Sequence, residues 1–316
     1  MDPAAAHAAG QVSERQRSVG VIGTGAMGMG VVRSLRRAGV PTFTRDVRAE
    51  ADREALALGA TPCASPAHVA NHAAIVIVLV VDDVQVDEVL FGANGAAPAL
   101  AHGSVVVLSS TLDPAYVESV SARLESLHGD LLDAPVSGGP ARASEGTMTM
   151  MVAGREQARL RCADVLSRIA GRVFHVGDRA GQAATFKIVN NLLAAVNLAA
   201  AAEALVLAMK AGLDPRSALE VILASSGASW MTADRMPRVL SGDASVRAAT
   251  KILAKDALLA ASLGDRLDVD VPFAHAARRA FAGAVSAGYG EHDDSSMLTL
   301  FAQRAGVTFD VERGAR

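Results

Sequence analysis

Aromatic side chains are scarce in this chain: one Trp, two Tyr and eight Phe among 316 residues. Its apolar half is instead rich in Ala, Val and Leu, and Gly is abundant. That mixture suits closely packed helices and buried parallel strands and speaks against an antiparallel sandwich. Cysteine is nearly missing. Cys63 and Cys162 form no C-x-x-C pair, which excludes a zinc ribbon and predicts reduced thiols in a cytoplasmic protein. The eight His contain no H-E-x-x-H, so no metal is expected. Positive charge is not in excess either. The formal net charge is -3 and the pI is near 6.2, which leaves no basic field for nucleic acid. The N-terminus lacks the charged segment and apolar run of a secretory signal, and residues 1–17 are read as a flexible tail.

What the chain does have is length for two domains and one long apolar stretch. Gly181 to Gly212 reads as a single helix of about eight turns, dominated by the strong helix formers Ala and Leu. Lys187, Asn190 and Asn191, spaced by three and four, share one face of its first turns. Three readings stand: a membrane span, a buried core helix with an incidental lysine, and a core helix presenting a catalytic lysine. Asn197 and Glu203 would be costly in lipid, so no membrane is expected.

Near the start, Val19 to Ile22 is an apolar run suited to a buried strand. Gly23-Thr24-Gly25-Ala26-Met27-Gly28 follows, a G-x-G-x-x-G opening a helical pattern. In that context the glycines form a dinucleotide fingerprint. Gly23 allows the tight turn, Gly25 lets backbone approach a pyrophosphate, and Gly28 lets helix and strand pack closely. The pyrophosphate rests on the helix N-terminus. About 20 residues on, Asp46 ends the second strand, where an acid binds the ribose 2′-hydroxyl; the bland alternative is a solvated loop acid. An acid there repels a 2′-phosphate, so NAD is favoured, with Arg45 and Arg48 leaving NADP possible.

Further apolar runs at 74–81, 104–108 and 131–134 alternate with helical patterns, as a doubly wound α/β fold requires. Thr111 follows the run at 104–108, on the cofactor side by the strand-end rule, and is equally an N-cap before Asp113-Pro114. Gly138-Gly139-Pro140, preceded by Ser137, is expected neither to continue a strand nor to start an ordinary helix. Paired glycines beside a hydroxyl form a nest for an anion such as a carboxylate.

Four blocks in order make the chain resemble the β-hydroxyacid dehydrogenase family: G-T-G-A-M-G at 23–28, DAPVSGG at 133–139, K-I-V-N-N at 187–191, and Lys255-Asp256. The resemblance covers about residues 18–305. Arg142, Ser229-Trp230-Met231 and the segment from Gly288 to Ser295 are most similar to the L-threonate dehydrogenase branch, whereas Asn190-Asn191 resembles 3-hydroxyisobutyrate dehydrogenase. The resemblance implies a Rossmann-like doubly wound N-terminal domain and an all-α C-terminal domain joined by the long helix. It implies catalysis by Lys187, substrate binding by Ser137, Gly138, Gly139 and Asn191, and cofactor contacts from Thr111 and Lys255.

The expected domains are 18–179 for NAD and 180–305 for substrate and dimerisation, with a second tail at 306–316. Trp230 either walls a pocket or packs, Lys255 on residues alone is a surface lysine, and Asp293-Asp294 reads as an N-cap for a helix near Ser296. The expected activity is NAD-dependent oxidation of a small hydroxy acid of the L-threonate or 3-hydroxyisobutyrate type. Lys187 acts as general acid/base, its ordinary pKa near 10.4 lowered by burial. The alternatives are an NADPH-dependent semialdehyde reductase of the tartronate or succinic type and a non-catalytic NAD-binding protein. A homodimer or homotetramer is expected.

Overall fold

The computed structural model describes residues 14–309; the remaining residues of both expected tails lie outside this range. The tail reading fails inside it. Glu14–Arg17 form one helical turn, α1, from which Arg15 donates to the Ala70 carbonyl at 2.8 Å. At the other end Val307 and Phe309 pack on a hydrophobic core. The chain divides into two compact units between Lys187 and Ile188, later than the boundary expected at 179.

The first unit winds strand and helix alternately. β1 (Val19–Ile22), α2 (Ala26–Arg37), β2 (Thr42–Arg45), α3 (Ala49–Ala57) and β3 (Thr61–Pro62) build one half. α4 (Pro66–His72), β4 (Ile75–Val78), α5 (Asp83–Phe91), β5 (Val105–Leu108), α6 (Pro114–Glu125) and β6 (Asp130–Asp133) build the other. Then come β7 (Val136–Ser137), α7 (Gly139–Glu145), β8 (Met148–Ala153), α8 (Glu156–Ile169) and β9 (Ala170–Gly177). The sheet runs β3-β2-β1-β4-β5-β6-β8-β7, with β9 beside β8. β1 to β6 are parallel, β8 is antiparallel to β6 and β7, and β9 is parallel to β8.

Strand periodicity explains the two layers of helices. Side chains alternate between faces along a strand. Val19, Val21, Ile75, Ile77, Val105 and Val107 pack with α2 and α8 in one core. Ile22, Val76, Val78, Val106 and Leu108 pack with α4, α5 and α6 in another. Each such side chain contributes roughly 1.5–3 kcal/mol when fully buried. Gly20 is part of this packing, because a Cβ there would meet Val69 Cγ1 at 2.3 Å. Cys63 and Cys162 are both buried, and burial pushes the Cys162 thiol up to about 12.

α9 (Gln182–Lys210) passes from the first unit into the second. The second is helical: α10 (Pro215–Leu223), α11 (Trp230–Leu240), α12 (Thr250–Arg266), α13 (Pro272–Ala284) and α14 (Met297–Ala305). Its core gathers Leu198, Ala202, Leu205, Phe281, Met297 and Leu298. α9 is long and apolar enough to cross a membrane by length and composition, yet its Asn191 is buried against α12 by a hydrogen bond to Asp256.

Candidate active site

The glycine turn joins β1 to α2, and each glycine has its own physical reason. Gly23 has φ +87°, and a Cβ there would meet the Leu79 carbonyl oxygen at 2.5 Å. At Gly28 a Cβ would meet the Gly23 carbonyl oxygen at 2.0 Å. Around Gly25 a Cβ would meet nothing within 4 Å. The first two glycines are thus demanded by the protein's own packing, whereas Gly25 faces open space beside the start of α2. Gly25 is the N-cap of α2 and supplies no side chain to its first N–H groups. Ala26 is exposed, Met27 half-buried, and Thr24 buried. Open space beside uncapped N–H groups fits a dinucleotide pyrophosphate.

Asp46, just past β2, is not a solvated loop acid. Its side chain is 8% exposed. Oδ2 accepts from the Thr24 backbone N–H at 2.8 Å and the Thr24 hydroxyl at 3.3 Å. Oδ1 accepts from the Arg48 backbone N–H and Nε, both at 3.0 Å. Arg48 Nη2 also donates to the Thr24 carbonyl at 3.0 Å. Burial pushes the Asp46 carboxyl up, but the hydrogen bonds and charge of Arg48, with the Thr24 N–H, leave it below the usual range. The acid therefore meets the glycine turn directly and carries an arginine.

Past β5, Thr111 is half-buried and is not the N-cap of α6. Asp113 holds that position, accepting from the Ala115 N–H at 2.8 Å; its fixed place before Pro114 explains the preference. Ser137 lies in β7 and is half-buried. Contrary to expectation, a helix does start at the glycines. Gly138 (φ +128°) is the N-cap of α7, Gly139 (φ +75°) opens it, and Pro140 sits in its first turn. Proline is well tolerated there, where its missing N–H has no intrahelical partner to lose. Arg142, one turn on, leans its side chain over Gly138, where a Cβ would meet Arg142 Cδ at 2.8 Å.

Asp133, the first residue of the DAPVSGG block, has a role that the sequence did not reveal. It ends β6 and is 1% exposed. Its Oδ2 accepts from the backbone N–H groups of Gly181, Ala183 and Ala184 at 2.9, 3.0 and 3.0 Å. A carboxylate on the N–H groups that open α9 complements the helix dipole. Burial still pushes this carboxyl up to about 6, against the pull of the three N–H donors. Lys187, one turn past Ala183 on the helix that Asp133 anchors, is buried at 8% exposure.

In the second unit, Asn191 is buried and donates through Nδ2 to Asp256 Oδ2 at 2.6 Å, while its Oδ1 accepts from Asn190 Nδ2 at 3.0 Å. Lys255 Nζ donates to Asp256 Oδ1 at 2.8 Å. Asp256, 4% exposed, thus holds Asn191 and Lys255 at once. The sequence alone assigns a role to the lysine of the Lys-Asp pair and none to Asp256. Trp230 does not pack in the core. It is 53% exposed at the first position of α11. Asp293 and Asp294 also do more than cap. Asp293 accepts from the Ser295 N–H as expected of a cap, but also from the Arg247 N–H and from Arg238 Nη1. Asp294 accepts from Arg235 Nε at 2.6 Å. Two buried acid–arginine pairs therefore tie the 290s to α11. Among the described residues no group of His, Cys, Asp or Glu is arranged to hold a metal ion.

Comparison with known proteins agrees with these features. Residues 18–177 match the NAD-binding domain of 6-phosphogluconate dehydrogenase, and residues 181–301 match the NAD-binding family of NADP-dependent 3-hydroxyisobutyrate dehydrogenase. The L-threonate dehydrogenase of Cupriavidus necator is 42% identical over 285 residues, covering 90% of this chain and 96% of that one. The crystal structure of 3-hydroxyisobutyrate dehydrogenase from Salmonella typhimurium superposes with a TM-score of 0.84 at 40% identity, covering 90% of this chain and 99% of that one. The structure of Psf3 in complex with NADP+ and 2-OPP superposes with a TM-score of 0.83 at 28% identity, again over 90% and 99%. With a dinucleotide turn, an anchored lysine helix and matches along nearly all of its described length, the chain belongs to the β-hydroxyacid dehydrogenase family.

Proposed function

We propose that this protein oxidises the alcohol of a small hydroxy acid, of the L-threonate or 3-hydroxyisobutyrate type, with NAD preferred and NADP tolerated. The observation that carries the reading is Lys187: a buried amine on a helix whose first turn is held by Asp133. Bound NAD supplies the hydride acceptor. Lys187 takes the hydroxyl proton on Nζ as the carbonyl forms, and returns it in the reverse direction. Asn191, one turn on, orients the substrate with the amide hydrogen that Asp256 leaves over. Ser137, Gly138 and Gly139 hold the carboxylate. Gly23, Thr24, Gly25, Ala26, Met27 and Gly28 cradle the pyrophosphate, Asp46 faces the adenosine ribose, and Thr111 and Lys255 serve the cofactor.

Turnover with NAD and with NADP on L-threonate, D-glycerate, 3-hydroxyisobutyrate and 4-hydroxybutyrate tests this. NAD-linked oxidation of L-threonate or 3-hydroxyisobutyrate is expected, and silence on all four acids removes the reading. A semialdehyde reductase would use the same lysine as proton donor, but Asp46 at the ribose position supports NAD over NADPH. A non-catalytic NAD-binding protein would have no need of a buried Lys187.

The second unit is proposed to carry dimerisation as well as substrate contacts, in a cytoplasmic protein. Val189, Leu193 and Leu207 are 53 to 72% exposed along one side of α9, at the spacing of a helix face. An apolar stripe this long on a soluble chain is normally covered, and a second copy covers both stripes at once. Sedimentation of the protein is expected to show a dimer or tetramer, and Leu193→Glu with Leu207→Glu to shift it toward the monomer. A monomer for the unaltered protein at micromolar concentration refutes this.

A further inference from the structure

Arg48 occupies the acceptor that a ribose diol needs. Asp46 Oδ1 already takes two hydrogen bonds from Arg48, through the backbone N–H and Nε. Asp46 Oδ2 takes the Thr24 N–H and hydroxyl, with Arg48 Nη2 at 3.4 Å. A carboxylate offers about four lone-pair sites, so little of Asp46 is left over while Arg48 stays in place. Arg48 itself is loosely held on its outer side. Its side chain is 57% exposed, and no bond among the described residues engages Nη1. Ion pairs with such exposure are weak and exchange readily.

We propose that Arg48 is an exchangeable counter-ion that decides between the two cofactors at the adenosine ribose. Toward NAD it competes, since its Nε must release Asp46 Oδ1 before a ribose hydroxyl can donate there. Toward NADP it assists. The guanidinium fork matches a phosphate bidentately, so Arg48 turns onto the 2′-phosphate and offsets the repulsion from Asp46. Asp46 keeps its Thr24 bonds in both cases and stays charged. A single residue thereby weakens one cofactor and strengthens the other, and the chain prefers NAD without excluding NADP.

This rests on the reading that the glycine turn and Asp46 bind a dinucleotide, but not on Lys187. The test uses nucleotides that carry no nicotinamide: 5′-AMP, which keeps the ribose diol, and 2′,5′-ADP, which carries the 2′-phosphate. Titration calorimetry of the full-length protein is expected to show Arg48→Ala binding 2′,5′-ADP at least tenfold more weakly and 5′-AMP as well as or better than the unaltered protein. Arg48→Lys keeps the charge and is expected to retain most of the 2′,5′-ADP affinity. Equal changes for both nucleotides would make Arg48 a structural residue and overturn the proposal, as would no change for either. An unaltered protein that binds neither nucleotide fails at the glycine turn itself, a different and recognisable result.

Discussion

Lys187→Ala is expected to lower kcat by a factor on the order of 10²–10⁴, the usual contribution of a positioned acid/base, while NAD binding measured by calorimetry stays within a few-fold. The reason for the split is that Lys187 lies on α9, away in sequence from the glycine turn and Asp46, and is asked to move only the hydroxyl proton. The helix itself should survive, because alanine is the best helix former and Asp133 rather than Lys187 holds the first turn. Lys187→Arg is the sharper control. It keeps a cation but not a group that gives up its proton at neutral pH, so its kcat should fall with that of alanine. If Lys187→Ala turns over at the rate of the unaltered protein, the proton passes through another group and the proposed chemistry is wrong.

The second large effect concerns Asp133. Asp133→Ala leaves three N–H groups at the start of α9 without their acceptor, inside a buried site. Each buried unsatisfied donor costs about 1–3 kcal/mol, so a loss of about 3 kcal/mol or more in urea unfolding is expected. Asp133→Asn keeps one acceptor oxygen and should cost roughly half as much. The carboxyl also gives stability a pH dependence. Unfolded, it titrates near about 3.9; folded, at about 6. Between those values the folded protein holds a proton that the unfolded chain has released. The contribution is complete below the unfolded value and is lost as pH rises through the folded one. Going from about pH 5 to about pH 7 should therefore remove about 1 kcal/mol, and Asp133→Asn should remove that slope. A slope of the same size in Asp133→Asn would assign the titration to another group.

What was legible in the sequence was local. β1, the glycine turn and α2 follow one another within a few residues, so apolar period and glycine spacing suffice to place them. Asp46 can be placed past β2 and beside the glycine turn because its distance from the turn is set by one helix and one strand. Asp133 was missed because its partners are 48 to 51 residues away, and nothing in a single sequence says which N–H groups an acid will meet. The same holds for Asp293 and Asp294, whose arginines lie 55 and 59 residues earlier. The residue type of Trp230 favours packing, but its position at the head of α11 leaves it exposed. At Gly138-Gly139-Pro140 the expectation of no helix start fails because the first turn of a helix accepts proline.

The three fingerprint glycines differ in a way that bears on descent. Gly23 and Gly28 are held by contacts of the chain with itself, and Gly20 is fixed in the same manner by Val69. Gly25 alone faces open space. A duplicated copy released from selection for catalysis would therefore still be obliged to keep Gly20, Gly23 and Gly28 in order to fold. Only position 25 would be free to drift. In such a lineage an intact-looking glycine motif would testify to packing, and the residue at position 25 would be the first to record that the cofactor was gone.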